Sequence, residues 1–383
     1  MTAVTEIEDE RLALKVLSLV VEPGDWRYLA LARQLGGVGL LRALHEDPSR
    51  HELLEAVAVR LDALDVDAEL RRAEHTGQRF VTPLDEEWPT QLDALEGQRD
   101  PLIDRGGVPL GLWVRGPGRL DRLADSVAVV GSRSSTTYGE ELAGDIAAEL
   151  GHAAVPVVSG AAVGIDYAAH RGAVSAPGGV TVAVLAGGAD RPYPPAHRRM
   201  IEHLAAEHLV VSEAPPGAAH TRIRFLVRNR LIAALARGTV IVEAAARSGA
   251  LCTVSWATRL NRVVMAVPGP VTMATSIGTH QAIRNGVATL VTCGRDVLEL
   301  VGPAGEHLTV EPRGPENPRD ALTPNQRRVL DGVPVAEGAG ADSIAYATGL
   351  AIGSVQRALT HLESVGLAVR EGRGWHLTDA ARA

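Results

Sequence analysis

The sequence predicts an α/β protein, in which a Rossmann-like, doubly wound parallel sheet is flanked by an N-terminal helical domain and a C-terminal winged helix. Between residues 80 and 300, short and nearly continuous apolar runs alternate with segments of helical periodicity, as in parallel sheets that are covered by helices on both faces. Before this region, the apolar residues recur at helical spacing alone. At 383 residues the chain is too long for one ordinary domain. We therefore divide it into a helical domain (1–78), a Rossmann-like domain (79–302), a linker (303–322) and a winged-helix domain (323–383).

The N-terminal segment is predicted to be a small bundle of the SAM or helix-hairpin-helix type. Its stretch GGVGLLRAL places a Gly-x-Gly turn before a helix, as helix-hairpin-helix DNA-binding proteins do. Residues 1–124 carry 15 basic and 23 acidic side chains, however, and an acidic surface repels DNA. An ordinary turn between two helices is therefore the favoured interpretation of this stretch.

Eight strands are predicted for the central domain, most of them followed by a helix. They lie in GLWVRG, SVAVVG, VPVVSG, VTVAVLAG, HLVVSE, GTVIVEA, RVVMAVPG and ATLVTC. Ligands of a doubly wound sheet bind beyond the carboxyl ends of its strands. The residues that follow these strands are therefore the first candidates for a binding site.

The charge distribution places any anion site in the central domain. The whole chain has a net charge of −8, whereas residues 125–300 hold 15 basic and 13 acidic side chains. The two cysteines, Cys252 and Cys293, give neither a disulfide framework nor metal-ligand spacing. The N-terminus is acidic, and no apolar run is long enough to span a membrane. We expect a cytoplasmic protein with no membrane partner, no metal and no cofactor.

Small residues follow several of the predicted strands. Glycine lets backbone N–H groups approach an anion closely, and the helix that starts next adds the positive end of its dipole. The candidates of this kind are Gly131, Ser132, Arg133, Ser159, Gly160, Gly164, Asp166, His170, Ser248, Gly249 and Thr253.

Asp166 and His170 lie one turn apart at the start of a predicted helix. Both side chains can face the ligand. Equally, Asp166 can cap the helix with His170 as its partner, and neither then touches a ligand. A catalytic pair is disfavoured, because the spacing indicates no nucleophile, and we expect no enzymatic activity.

The strongest basic feature is the stretch TRIRFLVRNR, which contains four arginines and no acidic residue. Arginine binds phosphate through paired hydrogen bonds, and an aromatic ring gives a base a surface for stacking. The alternative is a solvated helix face with Phe225 in the core. Arg228 and Arg230 cannot be equally exposed on one helix, so one can face the ligand while the other forms an internal pair. The candidates here are Phe225, Arg228, Asn229 and Arg230.

The C-terminal segment has the element order of a winged helix, with a helix turn at Gly349 and a wing that turns at residues 372–374. Its predicted recognition helix offers one arginine, Arg357, beside Gln356, Thr360 and His361. Proteins that recognise duplex DNA usually carry more positive charge. A role in protein interaction or dimer support is favoured, and a transcription regulator stays as an alternative.

Five stretches of residues 125–300 resemble, in order, the DNA-processing protein A family, also called Smf. They are GSRSSTTYG, SGAAVGIDYAAHRGA, TVAVLAGGADRPYPPAH, FLVRNRLIAALARGTVIVEAAARSGALCT and VPGPVTMATSIGTHQAIRNGV. The resemblance implies a protein that binds single-stranded DNA, protects it during natural transformation and recombination, and helps to load the RecA recombinase onto it. It also implies a homodimer formed through the Rossmann-like domain.

The same resemblance implies DNA contacts by Arg133 of the Gly-Ser-Arg stretch and by Phe225 and Arg228 of the F-x-x-R-N-R stretch. The family usually has a proline after this phenylalanine, where this chain has Leu226. The turn that positions Phe225 is therefore less constrained than in the family.

The main alternative is a nucleotide hydrolase similar to the Rossmann-like phosphoribohydrolases. These enzymes carry a Pro-Gly-Gly-x-Gly-Thr stretch followed by a catalytic glutamate, and the corresponding ARSGALCT departs from it. Glu243 is the one acid well placed for catalysis, and we favour a carboxylate that holds Arg230 or a loop amide. A dehydrogenase is disfavoured further, because GSRSSTTYG is not a G-x-G-x-x-G motif.

Overall fold

The computed structural model describes residues 7–46, 52–308, 317–372 and 374–382, and the chain divides into two units, Met1–Thr309 and Val310–Ala383. Within the described residues, the first unit contains one nine-stranded sheet and a separate two-stranded hairpin. The strands of the large sheet, in spatial order, are β1 (Arg79–Val81), β4 (Leu112–Arg115), β8 (Leu209–Ser212), β7 (Thr181–Leu185), β6 (Val157–Ser159), β5 (Val127–Val130), β9 (Gly238–Ile241), β10 (Val263–Ala266) and β11 (Thr289–Leu290).

All eight predicted strands are present, but the sheet is mostly and not wholly parallel. β4 pairs antiparallel with both β1 and β8, whereas β5 to β11 follow the parallel pattern. The apolar runs predict neither β1 nor the small hairpin of β2 (Arg99–Asp100) and β3 (Arg105–Gly106). An apolar run indicates that a strand is buried, but it carries no information on the strand's direction.

Seven helices of the described part of this unit follow β5 and later strands. They are α5 (Thr137–His152), α6 (Ile165–Ser175), α7 (Arg198–Glu207), α8 (Arg222–Leu235), α9 (Ala250–Arg259), α10 (Ile277–Arg284) and α11 (Gly294–Val301). Side chains of a strand alternate between its two faces, and in β5 Val127 and Val129 join one buried cluster while Ala128 and Val130 join another. The sheet is therefore covered by helices on both faces, as the apolar strands predict.

The chain order of the strands defines a switch point between β5 and β9. From β5 the chain adds β6, β7 and β8 on one side, and it then returns to place β9, β10 and β11 on the other. At such a point the connecting loops diverge and leave a crevice beyond the carboxyl ends of the strands. The loops after β5, β6 and β9 border this crevice.

The N-terminal helices are α1 (Glu10–Val20), α2 (Trp26–Glu46), α3 (Glu52–Asp62) and α4 (Val66–His75). Gly36 is non-helical and kinks α2. The carboxylate of Glu10 accepts hydrogen bonds from the amides of Gly37 and Val38 just beyond the kink. A helix-hairpin-helix protein would offer these amides to a phosphate, so their internal partner agrees with an ordinary turn between helices.

The second unit contains α12 (Pro324–Gly332), α13 (Ala341–Thr348), α14 (Ile352–Ser364), the antiparallel strands β12 (Ala368–Glu371) and β13 (Gly374–Leu377), and α15 (Asp379–Arg382). A capping box of Thr323 and Gln326 starts α12, and Gly349 ends α13 in the left-handed conformation. Leu359 and Trp375 lie in its core. The element order is the predicted one, while the assignment as a winged helix and the three predicted boundaries between segments stay predictions. None of the described helices is long and apolar enough to cross a membrane.

Candidate nucleic-acid interface

Two glycines bring the loops after β5 and β6 into contact at the switch point. Gly164 has a φ of +85°, and a Cβ there would lie 2.5 Å from the carbonyl oxygen of Ser132. A Cβ on Gly131 would lie 2.5 Å from the side chain of Ile165. Only glycine fits both positions without displacement. The start of α6 therefore packs directly on the Gly-Ser-Arg loop.

Asp166 is a buried carboxylate that organises the loop after β6. It accepts hydrogen bonds from the amides of Gly160 and Ala162 at 3.2 and 3.4 Å. Burial raises the pKa of this carboxyl, and the charge of Arg228 and the backbone donors oppose that rise. Asp166 thus binds amides of the loop that precedes α6, and it does not cap the helix, whose N-cap is Gly164.

His170 is neither at the interface nor paired with Asp166. Its ring is fully buried, and its Nδ1 lies 2.7 Å from Thr181 Oγ1. That hydroxyl donates to the Val157 carbonyl at 2.9 Å, so it must accept from an Nδ1–H of the histidine. Burial lowers the pKa of His170 to about 3. The predicted contact of His170 with DNA is therefore wrong. The residue has a structural role, because its ring binds Thr181 of β7 inside the core.

The remaining small residues divide into buried and surface positions. Ser159 and Thr253 are buried, and Ser159 Oγ donates to the Val129 carbonyl at 2.6 Å. Ser248 and Gly249 lie at the surface before α9, where Ser248 Oγ accepts from the Ala250 amide at 3.3 Å. Of these four residues, only the two in the loop after β9 are accessible to a ligand.

Arg228 is a buried cation beneath the interface. Its Nη1 donates to the carbonyl of Gly160 at 2.8 Å and to that of Val184, and its Nε donates to Asn229 Oδ1 at 3.2 Å. Burial lowers the pKa of its guanidinium to about 10. Asn229 Nδ2 reaches the Gly249 carbonyl at 3.4 Å. The two side chains thus connect strand β7 with the loops after β6 and β9, and Arg228 adds positive charge below these loops.

Arg230 forms the internal pair that the sequence allows for one of the two arginines. It is fully buried, and its two terminal nitrogens each lie 2.7 Å from an oxygen of Glu213. A side chain in this position cannot touch a DNA strand. The predicted contact of Arg230 with DNA is therefore wrong. Its partner Glu213 follows β8, and sequence spacing does not reveal this pairing.

Phe225 lies beneath the guanidinium of Arg133. The Arg133 Cζ is 4.9 Å from the ring centroid, in cation–π geometry, and that of Arg228 is 5.9 Å away. Arg133 is exposed and Phe225 is half-buried. The predicted arginine and phenylalanine, 92 positions apart in the sequence, are thus brought together at the surface.

Two further aromatic side chains, which were not predicted as site residues, lie against Phe225. The ring centroid of Tyr193 lies 4.9 Å from that of His220 and 5.5 Å from that of Phe225, and His220 lies 6.0 Å from Phe225. Tyr193 is 40% exposed. Burial and then the charges of nearby arginines lower the pKa of His220. We call Tyr193, His220 and Phe225 the aromatic cluster. Tyr193 lies in RPYPPAH, part of a stretch that resembles the family, and this was the signal in the sequence that could have identified it.

Glu243 holds loops together and does not project into the crevice. It is buried and accepts hydrogen bonds from the Thr136 amide at 2.8 Å, the Thr136 hydroxyl at 2.7 Å and the Thr275 hydroxyl at 3.2 Å. The favoured interpretation, a carboxylate that holds a loop amide, agrees with these contacts, whereas Arg230 pairs elsewhere.

Among the described residues, no group of three or more His, Cys, Asp or Glu side chains could hold a metal ion.

Residues 79–302 match the sequence profile of the family of DNA recombination-mediator protein A. The chain belongs to this family. A DprA protein of Mycobacterium tuberculosis is 42% identical over 377 residues, which cover 98% of this chain and 96% of its own. The DNA processing protein DprA of Streptococcus pneumoniae is 43% identical over 182 residues, 47% of this chain and 64% of its own. Membership of the DprA family assigns the chain to DNA processing and recombination.

The solved structure of one DprA protein agrees with this assignment. The X-ray structure of DprA from Streptococcus pneumoniae superposes with a TM-score of 0.62 at 33% identity, covering 77% of this chain and 97% of that one. A structure of Helicobacter pylori DprA, solved to describe its single-stranded DNA binding mode, has a TM-score of 0.49 at 23% identity and covers 58% of this chain and 94% of that one. The mostly parallel sheet with its helices is thus a fold shared with DprA.

Proposed function

We propose that this DprA-family protein binds single-stranded DNA at the switch-point crevice, protects it, and helps to load the RecA recombinase onto it, as a homodimer and without catalysis. The observation that carries the proposal is the pairing of Arg133 with Phe225 at 4.9 Å beside the exposed ring of Tyr193. Aromatic rings next to an arginine supply both a base-stacking surface and a phosphate ligand. Duplex DNA cannot use such a cluster, because its bases are already stacked on one another.

The electrostatics support backbone contacts without sequence recognition. Arg133 is exposed at the crevice, and the buried charge of Arg228 lies below it. Contacts to phosphates make affinity fall with salt, by a slope of about 0.7 for each phosphate neutralised on a single strand. Stacking accepts every base, so we expect little preference among sequences beyond a modest one for flexible strands.

The experiment is a fluorescence-anisotropy titration of a labelled oligo-dT and of its duplex at several salt concentrations. The variant is Arg133→Ala. The matched control is Arg237→Ala, because Arg237 lies at the amino end of β9, away from the carboxyl ends that border the crevice, and its side chain pairs with the exposed Asp125 at 3.1 Å. We expect tight single-strand binding, weak duplex binding, a loss for Arg133→Ala and no change for Arg237→Ala. Absence of single-strand binding by the wild type at low salt would contradict the proposal.

The RecA step and the absence of catalysis need separate measurements. RecA-dependent ATP hydrolysis on an oligo-dT coated with single-strand binding protein should rise with the wild type and not with Arg133→Ala. Nucleoside 5′-monophosphates incubated with the protein should release no free base. Base release that Glu243→Gln abolishes would instead support the hydrolase alternative. Sedimentation velocity of the free protein tests the homodimer.

A further inference from the structure

The turn that follows α1 places an acidic side chain on the start of α8. Arg224 Nη2 donates to the two carboxylate oxygens of Glu22 at 2.9 and 3.0 Å, and Arg224 Nε donates to Oε2 at 3.1 Å. The remaining terminal nitrogen donates to the Ala219 carbonyl at 2.8 Å. Glu22 is 40% exposed and Arg224 is 16% exposed. The N-terminal segment thus supplies a bidentate anion to an arginine 202 positions away.

The backbone of this turn is fixed independently of the Glu22–Arg224 pair. Gly24 donates its amide to Glu213 Oε1 at 3.1 Å, and its carbonyl accepts from the Gly106 amide at 2.8 Å. Its φ is +67°, and a Cβ there would lie 2.6 Å from the Val227 side chain on α8. Glu22 therefore has a defined position over α8 even when its carboxylate is not engaged.

Arg224 borders the aromatic cluster on its own helix. It precedes Phe225 directly, and the carbonyl that it binds belongs to Ala219, the neighbour of His220. Its charge is among those that lower the pKa of His220, behind burial. A phosphodiester offers a guanidinium the same paired oxygens as a carboxylate does, in the same planar geometry. Glu22 thus occupies the Nε and Nη2 of Arg224, the nitrogens through which a phosphodiester pairs with a guanidinium.

We propose that Arg224 is a further phosphate-binding residue of this interface, and that Glu22 competes with the DNA backbone for it. This inference rests on the proposed binding of single-stranded DNA. A phosphate that binds Arg224 must displace Glu22, which then stays near Arg60, whose Nη1 lies 4.0 Å from Glu22 Oε1. Glu22 thereby lowers the affinity of the protein for single-stranded DNA by a constant factor. It also reduces the number of DNA phosphates that the interface neutralises.

The test compares wild type with Glu22→Gln in the oligo-dT titration, at several salt concentrations. The substitution keeps the size of the side chain and removes its charge. We expect binding to be about two- to five-fold tighter, the range set by an exposed ion pair. The dependence of log affinity on log salt should steepen by about 0.7, because one more phosphate is neutralised.

A double-mutant cycle shows whether the gain passes through Arg224. Arg224→Ala in the Glu22→Gln background should remove the whole gain in affinity and in salt dependence. Glu96→Gln is the matched control for net charge, because Glu96 also forms an exposed pair, with Arg33 at 3.0 Å. It should leave both quantities unchanged. The thermal unfolding midpoint of each variant checks that the fold is kept.

The outcomes separate this inference from the proposed function. If wild type binds oligo-dT and Glu22→Gln binds with the same affinity and salt dependence, the competition is refuted while single-strand binding stands. A gain that survives Arg224→Ala, or one that Glu96→Gln reproduces, refutes it as well. If neither wild type nor Glu22→Gln binds the oligonucleotide at low salt, both the proposed function and this inference are wrong.

Discussion

Arg230 and Glu213 form a buried bidentate ion pair in which each terminal nitrogen of the arginine lies 2.7 Å from one carboxylate oxygen. The Nε of Arg230 donates to the Gly107 carbonyl at 3.1 Å, and Glu213 also accepts from the Gly24 amide at 3.1 Å. The pair therefore ties α8 to the end of β8, to the segment before β4 and to the turn after α1. Its role is to fix the elements around the interface.

Arg230→Met should destabilise the first unit strongly, because Glu213 is then left buried without its counter-charge. Breaking a buried pair on one side costs about 3–5 kcal/mol of unfolding free energy. The double substitution Arg230→Met with Glu213→Leu should recover most of that loss, since no charge remains to be desolvated. Urea denaturation, monitored by circular dichroism, measures the unfolding free energy of the single and of the double variant. A single variant as stable as wild type would show that the pair contributes little.

The aromatic cluster should supply base stacking. Phe225→Leu keeps an apolar side chain and removes the ring, and Tyr193→Ala removes the exposed ring. Loss of one stacking partner costs about 1–3 kcal/mol per base, so oligo-dT affinity should fall about five- to 150-fold. The same anisotropy titration measures it. Tyr346→Ala, which removes a ring that is 93% exposed in the second unit, is the control; an equal loss there would contradict a specific role for the cluster.

His170 should make the protein acid-sensitive. Its pKa is about 3 in the folded chain against 6.5 for an ordinary histidine, so between these values the unfolded chain binds the additional proton. Stability is therefore complete above pH 6.5 and is lost as pH falls toward 3. The loss should reach about 2 kcal/mol at pH 5.

Urea denaturation at pH 7 and at pH 5 measures this loss, and His170→Leu should show less of it. Leucine occupies the buried space without a titrating group, and Thr181 keeps its hydrogen bond to the Val157 carbonyl at 2.9 Å. An identical acid sensitivity of the variant and wild type would assign the effect to other groups.

Gly164→Ala should displace the loop contact at the switch point. The position combines a φ of +85° with a Cβ that would meet the Ser132 carbonyl at 2.5 Å. Gly178→Ala is the matched control, because its φ is +74° and its Cβ would meet nothing within 4 Å. The control should lose about 1 kcal/mol from backbone conformation alone. The Gly164 variant should lose more, and its oligo-dT affinity should fall; equal losses in the two variants would argue against the loop contact.

The sequence by itself determined eight strands of the large sheet, and it determined that the loops at their carboxyl ends form the first candidate site. Apolar runs separated by helical periodicity predicted eight strands of the sheet, because burial on both faces demands such runs. The five ordered stretches within residues 125–300 predicted the family, which the family profile over residues 79–302 confirms; the DNA contacts that they imply stay predictions. The Gly-Ser-Arg stretch singled out Arg133 and the arginine-rich stretch singled out Phe225, and the structure places the Arg133 Cζ 4.9 Å from the Phe225 ring centroid.

Only the tertiary structure decided the partner of each polar side chain. Arg228 and Arg230 lie two residues apart, yet Arg228 binds the carbonyls of Gly160 after β6 and of Val184 in β7, whereas Arg230 binds Glu213. His170 lies one turn from Asp166, yet its ring bonds to Thr181 on β7. Tyr193 and His220 reach Phe225 from two other loops. Periodicity and spacing report on neighbours within one element, whereas these partners depend on which strands lie side by side in the sheet, and local sequence does not encode that order.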